Sequence, residues 1–259
     1  MLKRAMTSTA ASYKKRTGHV NEQHFAYLIE GDVVGDRTDK TDVIDQAYNT
    51  YSVKGGEWWQ IFLYGRDRFV TNTEFREIGN VANLLIDCID AFPGDRNDYL
   101  KDKIYFKKSL QEPMRQLKDE IRRQGIFPQL LSKAIFNGNE VGFLSILSKE
   151  LSRQDVPLDQ KHFHLFSAED VVSLLSTKLG IENSRARGRG QMDAQKVIFR
   201  YRNRNVGEIE IRTDSNVHYR QAKWRFNSPA ILSLLQSDLE VTLVEDRQTS
   251  VYGSAMDFL

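Results

Sequence analysis

Two short β-prone runs, Thr41-Asp42-Val43-Ile44-Asp45 and Thr50-Tyr51-Ser52-Val53-Lys54, are separated by only the four residues Gln46–Asn49. A gap that short predicts an antiparallel hairpin. Side chains two apart on a strand share a face, so Ser52 and Lys54 point the same way and the hairpin brings Asp42 beside them. Gly55-Gly56 ends the second run. From Trp58 to Phe69, the residues Trp58, Ile61, Phe62 and Phe69 recur at helical spacing, which predicts a helix with Gln60 and Tyr64 on one face. Upstream, Phe25, Leu28 and Ile29 mark a helical face between Asn21 and Ile29, with Glu22 one turn before Phe25.

The remaining pattern is a mixture of helices and strands. Spacing is predominantly helical from Glu77 to about Phe136, an expected helical insertion over residues 77–136. Strand signals return at Glu140–Ser148 and Lys161–Phe166. Ser167 then stands as an N-cap, with Asp170 three residues on, for a helix over Val171–Leu179 that Gly180 closes. Gln195–Tyr201 and Gly207–Arg212 read as strands, Ala230–Leu235 as a helix and Leu239–Val244 as a final strand. The expected fold is therefore mixed α/β, with a central mixed sheet flanked by helices, a helical insertion and a β-rich C-terminal region. Its expected parts are a flexible basic tail (1–17), a core (18–182) and a C-terminal region (183–259).

At 259 residues and 40% hydrophobic composition the chain can bury a sizeable core. No apolar run approaches the roughly 20 residues of a membrane-spanning helix. The single cysteine, Cys88, has no internal disulfide partner, points to a reducing compartment and reads as packing on an apolar helical face. Net charge is only +2, yet between Asn183 and Phe226 there are 11 Lys/Arg against 4 Asp/Glu. Such a block suits a polyanion-facing surface. His162 and His164 alternate along an expected strand, but no cysteine cluster lies near them to complete a metal site.

A carboxylate, a lysine and further polar groups converging at strand ends suit metal-assisted phosphodiester hydrolysis. The carboxylate holds a hard divalent ion, the ion supplies hydroxide, and the lysine steadies the charged transition state. The order of Glu22 on a helix, Asp42 on a strand, Ser52-Val53-Lys54 on the next and a helix from Trp58 resembles the PD-(D/E)XK nuclease superfamily. Gln60-Ile61-Phe62-Leu63-Tyr64 is similar to the Gln-x-x-x-Tyr signature of its exonuclease-type members. The likeness covers about residues 20–70 closely.

Two positions depart from the pattern. Residue 41 is Thr rather than Pro, and Ser52 stands where a metal-binding acid is expected. Some restriction enzymes of the superfamily also carry Ser-x-Lys and take the acid from the following helix, about fourteen residues past the lysine. Here Arg68 is at that position and Asp67 is one short, so Glu22 ranks first as the second acid.

The resemblance implies Mg²⁺-dependent, sequence-specific cleavage of double-stranded DNA, most like a type II restriction endonuclease, in a bacterial or archaeal cytoplasm. Asp42 and Glu22 would be metal ligands, Lys54 the transition-state lysine, and Ser52 and Gln60 supporting polar groups. A symmetric duplex target favours a homodimer, and no membrane is involved. A repair or recombination nuclease is the nearer alternative, and a non-catalytic DNA-binding protein the more distant. For DNA contact, Arg185, Arg187 and Arg189 form a flexible ladder suited to phosphates, with Gln191 beside it. Arg212, His218, Tyr219, Arg220 and Lys223 lie in and beside a loop dense in groups able to read base edges.

Overall fold

The computed structural model describes residues 8–34, 40–138, 140–148, 150–188, 191–244 and 248–258. It is a mixed α/β protein with a seven-stranded mixed sheet and a five-stranded antiparallel sheet, both flanked by helices. The chain divides into two compact units. The first comprises residues 1–59, 134–177 and 227–259, and the second residues 60–133 and 178–226.

The first unit holds α1 (Ser8–Leu28), β1 (Asp32–Val33), β2 (Val43–Ile44) and β3 (Thr50–Lys54). Its later segments supply β5 (Phe143–Leu147), β6 (Phe163–Ser167), α9 (Ala168–Lys178), α10 (Ser228–Asp238), β11 (Val241–Val244) and β12 (Thr249–Tyr252). Sheet order is β1-β2-β3-β5-β6-β12-β11. β3 runs parallel to β5 and β6 parallel to β12, whereas β2–β3, β5–β6 and β11–β12 are antiparallel. Phe25 of α1 is fully buried between Tyr51, at 5.3 Å edge-on, and Phe163, at 5.1 Å.

The second unit begins within β4 (Trp58–Tyr64) and continues through α2 (Arg66–Thr71), α3 (Thr73–Arg76), α4 (Val81–Asp90) and α5 (Arg96–Lys101). Next come α6 (Lys103–Ser109), α7 (Gln111–Ile121) and most of α8 (Ile126–Phe136). It resumes with β7 (Gly180–Asn183), β8 (Lys196–Tyr201), β9 (Arg204–Arg212) and β10 (Gln221–Asn227), in sheet order β4-β10-β9-β8-β7. Trp224 is fully buried, stacked on Phe199 at 5.4 Å and edge-on to Phe62 at 5.7 Å.

The expected hairpin is present, and Asp45 builds its turn by accepting the amides of Ala47 and Asn49 at 2.9 and 2.8 Å. Ser167 caps α9, accepting the Asp170 amide at 3.1 Å. Other expectations are corrected. The helix expected from Trp58 is a strand as far as Tyr64: exposed Trp58 and Gln60 alternate with buried Trp59 and Ile61, the period of a strand, although Trp58, Ile61, Phe62 and Phe69 taken alone also fit a helix. Gly65 then starts α2. Helix α1 begins at Ser8, so residues 8–17 are helical rather than tail, in keeping with their Ala, Lys and Arg content. Gly180 opens β7 instead of only closing a helix. The expected 183–259 region is divided at Asn227: α10, β11 and β12 return to the first unit. Among the described residues no helix is long and apolar enough to cross a membrane.

Replacing Phe25 with Ala is expected to cost about 3–5 kcal/mol, read as a lower urea midpoint. A midpoint unchanged from wild type would show that α1 is not anchored by this ring.

Candidate active site

Asp42 immediately precedes β2, and its backbone continues the ladder, donating its amide to the Tyr51 carbonyl at 2.8 Å. The pairs Val43↔Tyr51 and Ile44↔Thr50 fix the register of the hairpin, and the Asp42 side chain reaches along β3. Three donors of β3 then meet a single oxygen. Asp42 Oδ2 accepts the Val53 amide at 2.7 Å, Lys54 Nζ at 2.7 Å and Ser52 Oγ at 3.2 Å. Among the described residues no hydrogen bond is made to Oδ1, so the carboxylate is clamped by one oxygen and presents the other.

Glu22 of α1 completes the group. Its half-buried carboxyl is held above the usual carboxylate range, first by burial and then by the negative charge of Asp42, while His19 and Lys54 pull it back. His19 Nδ1 lies 3.3 Å from Glu22 Oε2. Asp42 is thus paired with Lys54, and Glu22 feels the charge of both in a partly desolvated site.

A buried polar knot adjoins these residues. Lys161, only 1% exposed, donates to Asn21 Oδ1 and, at 3.3 Å, to the Arg153 carbonyl. Asn21, the neighbour of Glu22, donates to the Ser152 carbonyl at 3.0 Å. A Cβ at Gly55, the neighbour of Lys54, would come within 2.7 Å of the Ser152 Cβ and 3.3 Å of the Asn21 amide. Glycine is therefore required where β3 passes the helix. Gly56, at φ +87°, supplies the left-handed turn that follows. Sequence reasoning missed this knot, because a lysine 140 residues from its asparagine partner leaves no local signal.

The other expected residues have different surroundings. Gln60 is exposed on β4 and Asp67 is exposed on α2, both in the second unit. His162 Nε2 lies 2.7 Å from Ser250 Oγ, and His164 Nδ1 lies 3.1 Å from the Tyr252 hydroxyl. Burial, assisted by His162, pushes His164 down to about 4, so it is neutral at neutral pH. Among the described residues no three His, Cys, Asp or Glu side chains cluster as a metal site.

Of the expected DNA-contacting residues, Arg185 and Arg187 are exposed after β7, and Arg189 lies outside the described residues. The ladder is less free than expected. Ser184 Oγ accepts the amides of Gln195 and Lys196, Asp193 accepts that of Ala186, and Gln191 Oε1 accepts that of Arg187. In the following loop, Arg212 grips Asp214 through two bonds of 2.6 and 2.7 Å, and Arg220 reaches Asp90 at 2.5 Å. Tyr219 donates to the Pro93 carbonyl, His218 bonds Gln221, and Lys223 lies 4.0 Å from Glu210. Arg96 holds the same loop through the carbonyls of Thr213 and Asp214 and the side chain of Asn216.

A raised carboxyl pKa has a definite sign for stability. Glu22 binds its proton more tightly in the folded state, so its contribution is fully present below the ordinary carboxylate range and is lost as pH rises through the folded value. Glu22→Gln is therefore expected to melt higher than wild type at pH 7 in EDTA, with the gain vanishing near pH 4. Equal melting temperatures at pH 7 would contradict the strained carboxylate pair. Compared with known proteins, the chain is matched by no family model, no curated protein and no solved structure.

Proposed function

We propose that this chain is a metal-dependent endodeoxyribonuclease cutting double-stranded DNA at a specific sequence, in the manner of a type II restriction enzyme. The observation that carries the reading is the Asp42 carboxylate, clamped through Oδ2 by Val53, Ser52 and Lys54, with the Glu22 carboxyl electrostatically coupled to it.

The donor set suits Mg²⁺, which is commonly held by one or two carboxylates together with water and substrate phosphate. Mutual repulsion of Asp42 and Glu22 is what a divalent cation would relieve. When bound, the ion supplies hydroxide at neutral pH and withdraws charge from the phosphate oxygens. Asp42 and Glu22 would hold it, and Ser52 fills the missing acid's place by bonding Asp42. Lys54 Nζ, 2.7 Å from Asp42 Oδ2, is placed to stabilise charge as it develops on a phosphate. One such site cuts one strand, so a symmetric duplex target calls for a second copy of the chain.

Phage DNA incubated with the protein and Mg²⁺ is expected to give discrete fragments. Asp42→Ala and Lys54→Ala should each slow cutting by about 10²–10³-fold or more while DNA binding persists, as expected for losing a preorganised charge. Glu22→Gln should cost a comparable factor and raise the Mg²⁺ concentration needed. Asp67→Asn should leave the rate within about twofold, as for exposed substitutions away from the chemistry. Smeared degradation would favour an end- or branch-directed repair nuclease. No cutting under any divalent metal would sink the enzymatic reading.

A further inference from the structure

Helix α7 and β7 are tied together by Asn183, whose side-chain amide donates to the Met114 carbonyl at 3.0 Å. Beside that tie is a concavity of about 380 Å³ lined by Arg115, Lys118, Arg122 and Arg185, with Glu182 and Asp193 as its acids. Of the two acids, Glu182 pairs with Arg200 at 2.6 Å, while Asp193 accepts the Ala186 amide at 2.7 Å and keeps its charge, leaving one carboxylate against the four cations. The cations are less committed. Lys118 pairs with its neighbour Asp119 at 2.5 Å and Arg115 lies 3.7 Å from Glu112, but neither Arg122 nor Arg185 has an ion pair among the described residues. Both are exposed. The groove therefore holds an unbalanced positive charge on a fixed frame.

Spacing identifies the ligand class. Positions 115, 118 and 122 follow the i, i+3, i+7 rule of one helical face and span roughly 10 Å at 1.5 Å per residue. Successive phosphates of one duplex strand advance about 3.4 Å along the axis while winding around it, so a straight row of this length faces more than one phosphate. A lone anion would use one or two of these side chains, whereas a polymer backbone can use the row. We propose that Arg115, Lys118, Arg122 and Arg185 form a groove that seats the phosphate backbone of DNA. The proposal rests on DNA being the substrate, and it assigns the groove to affinity and not to cleavage.

The test uses the full chain and a fluorescent 24-base-pair duplex in EDTA, with anisotropy titrations from 50 to 300 mM KCl. The double variant Arg122→Gln/Arg185→Gln is compared with Arg76→Gln, an exposed arginine outside the groove. Each lost phosphate contact lowers the log–log salt slope by about 0.9, equivalent to about five- to tenfold in affinity near 0.1 M salt. The double variant should therefore lose nearly two units of slope and roughly 25- to 100-fold in affinity, while Arg76→Gln changes little. Matching thermal melts establish that all variants are folded. Unchanged slope and affinity in the double variant, with wild type binding normally, would overturn the groove and leave the nuclease reading standing. A groove-dependent slope without metal-dependent cutting would uphold the groove and reject the nuclease. Failure of wild type to bind duplex, or displacement of the duplex by millimolar inorganic phosphate at constant salt, would overturn the backbone assignment.

Discussion

Everything in the candidate site depends on one oxygen. Asp42 Oδ2 accepts a backbone amide, an ammonium and a hydroxyl from three consecutive residues of β3. Such a convergence depends on the register that pairs Val43 with Tyr51 and Ile44 with Thr50. A slip of one residue would turn Ser52 and Lys54 to the opposite face and put Tyr51 and Val53 in their place. The buried Phe25–Tyr51 contact guards against that slip, so packing on one face fixes the chemistry on the other. Bonds to a charged acceptor contribute about 1.5–3 kcal/mol each, which makes the clamp a local rigid element.

The hairpin was legible because its signals are short-range: two β-prone runs, a turn, and an aspartate able to bond its own loop. Glu22 was legible as a helical acid upstream of Phe25, although its coupling to Asp42 required the tertiary fold. The run Trp58–Tyr64 reads as a helix when only Trp58, Ile61, Phe62 and Phe69 are counted, yet exposed Trp58 and Gln60 alternate with buried Trp59 and Ile61, which puts Gln60 on the exposed side of a strand. Strands β10 and β12 were overlooked for different reasons. β10 alternates well in Gln221–Asn227 but is rich in charge, and β12 has only four residues, all buried. The groove escaped notice because its cations come from two segments about 60 residues apart.

The basic block from Asn183 to Phe226 was the clearest compositional signal, yet much of its charge is used internally. Lys196 and Arg225 both meet Glu208, Lys196 also meets Glu210, Arg200 meets Glu182, and Arg212 meets Asp214. The pairs of Lys196, Arg225 and Arg200 join neighbouring strands and hold the register of the five-stranded sheet, whereas Arg212–Asp214 is local to one loop. Local sequence charge is thus a poor guide to surface potential: among the described residues Arg122, which caps the end of α7, and Arg185, after β7, have no ion pair. The loop from Thr213 to Arg220 is well braced, and any base it reads must be read by a preformed surface, with little ordering entropy lost on contact.

The strand order has a consequence for how the chain is made. Lys54 leaves the ribosome nearly 90 residues before Phe143, the start of the strand that pairs with β3. At about 5–20 residues per second, that interval lasts roughly 4–18 seconds. During it the hairpin has β2 on one side and an unpaired edge on the other, and an unpaired edge recruits strands from other chains. β12, which joins β6 to β11, follows another hundred or so residues later. Lys54, at the end of β3, puts a charge on that open edge, and a charged edge disfavours pairing with strands of other chains.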